Sequence, residues 1–293
     1  MRQVLFTIPY LGFKVYGYGL MLFLAFIASI NLAAWRARRE KIDENLVHDF
    51  ALWLFVGGIV GARGFYVAQY WGTKVRGVWE ILKFWEGGIV FYGSVIGGTV
   101  AFLIFWMRRE FPMRAFLDVI APSLALGIAF GRIGCFFTGC CYGDVCKLPW
   151  AVSFPAESPP WESQVKLGLI GAEAVRSLPV HPTQIYSAID GFLLLALMTA
   201  YFPLRRRDGE VIGILMVAYP VTRFLIEHLR SDEAVFFAGM TISQTVSVVL
   251  LACGLLYWAW LATLPKTRHA DSAGDGSPRE LDVAAGPRPI TAP

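Results

Sequence analysis

Hydrophobic residues dominate seven stretches of the chain, and they run continuously rather than alternating with polar ones. The stretches cover about residues 16–35, 50–70, 88–107, 116–137, 184–202, 211–229 and 241–262. Each approaches the roughly 20 helical residues that cross about 30 Å of hydrocarbon. In lipid every backbone polar group must be bonded within the protein, so a spanning segment is a helix or part of a closed barrel. Barrel strands alternate in polarity and these runs do not, which selects helices. The pattern predicts an all-α integral membrane protein, a bundle of about seven transmembrane helices.

The intervals carry the next signal. After the first run stand Arg36, Arg38, Arg39 and Lys41; after the third, Arg108, Arg109 and Arg114. Arg205, Arg206 and Arg207 follow the fifth, and Lys266 and Arg268 the seventh. With seven spans these clusters share one side, which the basic-loop rule makes cytoplasmic, with the N-terminus outside. The first run lacks a strongly basic start and ends in a stop-transfer cluster, so it reads as an anchor and not a cleaved signal. The longest interval, 139–183, holds Pro149, Pro155, Pro159, Pro160, Pro179 and Pro182. Loops of that length usually serve function. An extracytoplasmic cap or substrate-contacting segment is expected there. Residues 1–265 form one polytopic domain on this reading, and 266–293, rich in Pro, Gly, Ala and charge, a disordered cytoplasmic tail.

Composition agrees. Of 293 residues 56% are hydrophobic and only 16% charged, and the mean hydropathy is +0.54. Soluble domains carry nearer a quarter charged residues. That excludes a soluble globule and, for most of the length, disorder. Aromatic residues at 15% suit interfacial belts.

Ionisable residues inside the runs are the most informative chemistry, because each costs about 2.5–3.5 kcal/mol at the bilayer centre unless paired or wet. They are Arg63, Asp118, Arg132, Asp190, Arg223 and Glu227, with Arg230 just beyond. For Arg63, Asp118 and Asp190, structural pairing and function both stay open. Arg223 and Glu227 are four apart and share a helical face. Arg132 and Arg223 fall in the outer halves of their runs, and their planar forks match a phosphate. Two such forks on one wet pocket make a phosphate site. Gly127, Gly131, Gly134 and Gly139 permit close approach around the first. Gly93, Gly97 and Gly98 form a small-residue face for helix packing. Tyr92 needs a partner if buried, and Tyr18 either lines a cavity or joins the interfacial belt.

Four of the five cysteines, Cys135, Cys140, Cys141 and Cys146, fall within twelve residues. A disulfide such as Cys141 with Cys146, a metal site with His181, thiol chemistry and simple packing are all open readings. Cys253 reads as a small core hydrophobe. His181, ahead of Pro182, is a proton acceptor near the membrane surface or a turn cap.

These segments together resemble the prolipoprotein diacylglyceryl transferase family. Gly131-Arg-Ile-Gly-Cys-Phe-Phe-Thr-Gly-Cys-Cys-Tyr-Gly is similar to its G-R-x-G-N-F-x-N-x-E-x-x-G, and His181-Pro-Thr-Gln-Ile-Tyr to its H-P-S-Q-L-Y. Gly87-Gly-Ile-Val-Phe-Tyr-Gly resembles G-G-M-S-F-H-G, and Arg223-Phe-Leu-Ile-Glu-His-Leu-Arg resembles R-F-x-x-E-x-x-R. Tyr16-Gly-Tyr-Gly-Leu-Met resembles the first-span Y-G-x-M. The match runs over about residues 5–262, in order.

The resemblance implies a bacterial inner-membrane enzyme. It would move a diacylglyceryl group from phosphatidylglycerol to the lipobox cysteine thiol of a preprolipoprotein and release glycerol 1-phosphate. Implied partners are phosphatidylglycerol, signal peptides with a lipobox cysteine and the bilayer, with no nucleic acid, no metal and no cofactor. Arg132 and Arg223, with Tyr18 and Gly143, would hold the lipid headgroup. Glu227 would orient Arg223, and Tyr92 or His181 would take the acceptor's proton, with Glu227 as a further choice. The sequence departs from the family pattern where a histidine becomes Tyr92, an asparagine Cys135, a glutamate Cys140 and an acid Ser187, which suggests a divergent, cysteine-rich branch. Two rival readings use the same residues: a lipid-binding or transport bundle, and a thiol oxidoreductase built on Cys140 and Cys141.

Overall fold

The structure is a computed structural model that describes residues 4–7, 14–72, 77–82, 88, 90–230 and 235–272. The tail expected to be disordered lies, from 273 on, outside the described residues, as do Gly87 and Ile89 of the glycine-rich third run. Two short hairpin strands, β1 (Val4–Thr7) and β2 (Lys14–Tyr16), lead into α1 (Gly17–Arg39). Then come α2 (Glu44–Tyr70), the short α3 (Val78–Leu82), α4 (Phe91–Arg108), α5 (Met113–Thr138) and α6 (Pro159–Lys166). The chain continues through α7 (Thr183–Tyr201), α8 (Glu210–Glu227), the hairpin strands β3 (Val235–Phe237) and β4 (Met240–Thr241), α9 (Ile242–Thr263) and α10 (His269–Ser272).

A helix stands at each of the seven predicted runs. Five apolar segments have the length and composition to cross a membrane: Gly17–Arg39, Glu44–Tyr70, Met113–Thr138, Thr183–Leu204 and Ile242–Thr263. Tyr92–Arg108 is shorter, and α8 carries Glu210, Arg223 and Glu227 within its 18 residues. The protein is thus an all-α, multi-pass membrane protein. Many large apolar side chains point outward, among them Leu193, Leu197, Val249, Leu255 and Leu256; such a surface needs an apolar solvent. Helix starts differ from the hydrophobic boundaries where a cap decides them. The second run begins at 50, but α2 begins at Glu44 because the Asp43 carboxylate accepts the Asn45 N–H at 3.0 Å. α9 starts on a capping box in which Thr241 and Gln244 satisfy each other's backbone N–H.

The chain divides into two compact units. One comprises, among the described residues, 34–113 and 270–272. Its α2 and α4 meet through glycines: a Cβ on Gly97 would lie 2.7 Å from the Gly61 Cα, and one on Gly61 2.6 Å from the Gly97 Cα. Only bare backbones pack this closely. Gly93 belongs to the same seam, whereas Gly98 looks into open space and does not share the packing face assigned to it. Arg63 resolves as structural. Its guanidinium donates to the carbonyls of Ile81 (2.9 Å), Gly88 (3.0 Å) and Glu80, and sits over the Tyr66 ring.

The other unit comprises residues 1–33 and 114–269. Asp118 is also structural here. Fully buried on α5, it accepts the N–H groups of Gly209 (2.8 Å), Val211 (2.9 Å) and Ile212 (2.9 Å), which open α8. Those are the donors that a helix start leaves without intrahelical partners. Arg205 lies 3.5 Å from the same carboxylate and is itself buried, so it is an internal ion-pair partner and not a loop charge. Asp190 accepts the Thr222 hydroxyl at 2.9 Å and joins α7 to α8. Asp118→Ala is expected to destabilise the protein by about 3–5 kcal/mol, since it strips one partner from a buried ion pair. A thermal melt in detergent checks this; an unchanged midpoint would refute the capping role.

Residues 139–183 form a folded segment. Tyr142, Phe154 and Val180 form a small core against Phe136 and Val152. Isolated bridges pair Val180 with both Val145 and Val152, and Pro155 with Arg176.

Candidate active site

Arg132 stands two turns before the end of α5, three residues before Cys135 and so on nearly the same face. Neighbouring Gly134 lets α1 approach: a Cβ there would lie 3.0 Å from the Tyr18 Cδ2. Tyr18 lies within electrostatic reach of Arg132 and of Cys135, Cys140 and Cys141. No hydrogen bond or ion pair of Arg132 occurs among the described residues, so its fork keeps its five donors for a ligand.

The second cation cluster sits at the end of α8. Glu227 is buried and takes Arg223 on one carboxylate oxygen, together with Arg230 at 3.1 Å. Its other oxygen accepts the Thr241 hydroxyl at 3.3 Å. Arg223 also donates to the Ser243 hydroxyl at 2.9 Å. A carboxylate held by two guanidiniums and a hydroxyl is an orienting anion, which weighs against Glu227 as the base. Arg230, which sequence reasoning placed merely beyond the span, proves to be the second partner of Glu227.

The segment after α5 meets the end of α8. Gly143 bridges to Arg230, and its N–H donates to the His181 carbonyl at 2.9 Å. A Cβ on Gly143 would collide with the Leu229 carbonyl and lie 2.7 Å from the His181 Cβ. Gly143, expected among the headgroup contacts, sits in tight backbone packing with its amide N–H already used. His181 places Nδ1 3.4 Å from the Tyr186 hydroxyl, which accepts the Trp150 indole N–H at 2.7 Å. The last two residues of the His-Pro-Thr-Gln segment, Thr183 and Gln184, were given no role from sequence. Thr183 donates to the Cys141 carbonyl and Gln184 to the Cys140 carbonyl, both at 2.7 Å. Their signal was their polarity at the start of an apolar helix.

The sulfurs of Cys135, Cys140 and Cys141 all lie within 4.8 Å of one another. Gly139 turns the chain with φ +82°, and Cys141 follows at φ 57°. Hydrogen bonds from the Cys135 and Cys140 thiols push the Cys141 thiol well below its ordinary pKa, with Arg132 and Arg230 acting in the same direction against burial. The same contacts push Cys140 up. Cys141 is thus the point where charge from α5 and from the end of α8 converges. All five cysteines are free thiols, so the Cys141–Cys146 disulfide is not formed, and neither Cys146 nor His181 joins the sulfur cluster. Cys253 is exposed on α9 and not a core residue. Tyr92 belongs to the other unit, exposed in the first turn of α4.

Residues 3–260 match the family model described as prolipoprotein diacylglyceryl transferase. A phosphatidylglycerol–prolipoprotein diacylglyceryl transferase of Synechococcus elongatus is 36% identical over 85% of this chain and 84% of its own length. Proteins of the same name from Clostridium tetani (33%; 87% of this chain, 96% of theirs) and Thermosynechococcus vestitus (34%; 81% and 85%) are likewise similar.

Proposed function

The chain belongs to the prolipoprotein diacylglyceryl transferase family, and from that premise we propose how its residues carry out the transfer. It is a membrane transferase of lipoprotein biosynthesis, taking phosphatidylglycerol and prolipoprotein as substrates. Arg132 and Arg223 hold the lipid phosphate, and Tyr18 lines the same pocket. The acceptor is the thiol of a lipobox cysteine at the outer face of a bacterial inner membrane. The sulfur attacks the glycerol carbon, the carbon–oxygen bond to phosphate breaks, and glycerol 1-phosphate leaves with the electron pair. Guanidinium charge stabilises the anion as it forms. Glu227 fixes the direction of Arg223, while His181 and Tyr92 are the groups offered for the thiol's proton.

The observations behind this reading are that Arg132 and Arg230 both bear on the Cys141 sulfur, and that Arg230 shares the Glu227 carboxylate with Arg223. Arginines gathered on both sides of one turn suit an anion, as a phosphate site requires. The N-terminus outside, the C-terminus inside, residues 1–265 as one transferase domain and 139–183 as its extracytoplasmic cap complete the proposal, supported by the basic clusters on one side. The relatives' names favour a transferase over a transport bundle or a thiol oxidoreductase. The test is complementation. Expression in a bacterium depleted of its own transferase restores growth and diacylglyceryl modification of its lipoproteins; failure of a well-expressed protein to modify any lipoprotein would overturn the proposal.

A further inference from the structure

We propose that Cys135, Cys140 and Cys141 are a three-thiolate zinc site whose open fourth position takes the acceptor's sulfur. The argument begins with geometry. Tetrahedral zinc holds sulfur at about 2.3 Å, which sets neighbouring ligand sulfurs about 3.8 Å apart. The three Sγ atoms lie within 4.8 Å of one another, so a shift of under about 1 Å per side chain brings them onto one ion.

The turn that presents them is held from outside. The Cys140 and Cys141 carbonyls accept from Gln184 and Thr183 at 2.7 Å each, and the Gly139 N–H donates to the Cys135 carbonyl at 2.9 Å. Such surrounding hydrogen bonds are what fix ligand orientation in metal sites. The side chains are only partly buried, which leaves an approach to the ion.

Three protein ligands with one open position is the arrangement of a reactive zinc, not of a closed structural one. A thiol that coordinates zinc gives up its proton. This part rests on the transferase reading. The acceptor cysteine gives its proton to His181, one of the groups offered for it above, as its sulfur binds zinc. The sulfur's electron pair then forms the bond to the glycerol carbon, the carbon–oxygen bond breaks toward phosphate, and the thioether product leaves the ion. No oxidant or reductant is needed.

The experiment uses the full chain in detergent, stripped with a chelator and reloaded with Zn²⁺ or Co²⁺ alone. The expected result is stoichiometric metal, with the near-ultraviolet sulfur-to-cobalt charge-transfer band and the strong visible bands of tetrahedral cobalt. C135S, C140S and C141S each lose binding at least tenfold, while C146S and C253S keep it. A lipobox peptide with its cysteine intensifies the charge-transfer band, and the same peptide with serine does not. A disulfide among the three cysteines in place of metal, or metal held equally by the serine variants, overturns the site. Cobalt bound with a spectrum indifferent to the peptide thiol overturns the open position. Metal and spectrum are read without turnover, so failure of the zinc site and failure of the transferase reading give different results.

Discussion

Arg132→Ala is expected to lower diacylglyceryl transfer by about 10²–10³-fold, the cost of removing one preorganised donor from a developing anion. The loss falls on kcat/KM for phosphatidylglycerol. Folding is expected to survive, because Arg132 has no hydrogen bond or ion pair among the described residues whose loss would strand a buried group. The melting midpoint in detergent therefore stays near that of the parent protein. Arg132→Lys restores part of the activity, since an ammonium supplies the charge but not the planar fork. Equal activity in the alanine variant would remove Arg132 from the headgroup site.

The second large effect belongs to Glu227. Glu227→Ala leaves the guanidiniums of Arg223 and Arg230 without their shared carboxylate in a buried setting, which costs about 3–5 kcal/mol. Glu227→Gln keeps the shape and part of the hydrogen bonding while removing the charge. It is expected to fold, with a fall in transfer that appears as weaker use of phosphatidylglycerol. A double-mutant cycle separates orientation from proton transfer. If Glu227 acts through Arg223, Glu227→Gln adds little further loss in an Arg223→Ala background. Full additivity would instead give Glu227 a direct part in the chemistry.

The membrane helices were legible because each is a run of apolar residues, and lipid leaves no other structure for such runs. Arg223 and Glu227 were legible as a pair because four residues on a helix set their faces. Asp118 was ambiguous for a physical reason: its partners, the N–H groups of residues 209, 211 and 212, are about ninety residues away, and no local spacing reveals them. The cysteines misled for a related reason. Spacing suggested Cys141 with Cys146, but the left-handed turn at Gly139 and Cys141 carries the chain back toward Cys135 instead. Arg230, Thr183 and Gln184 went unassigned because their work is to hold a turn that only the folded cap creates.

The most direct test of the central claim is a transfer assay with the purified full chain, phosphatidylglycerol labelled in its headgroup glycerol, and a lipobox peptide. The account predicts that each peptide gaining a diacylglyceryl mass on its cysteine is matched by one labelled glycerol phosphate released. Both signals collapse together in Arg132→Ala and Arg223→Ala. Binding of phosphatidylglycerol with no modified peptide, or transfer that proceeds undiminished without those two arginines, would contradict it.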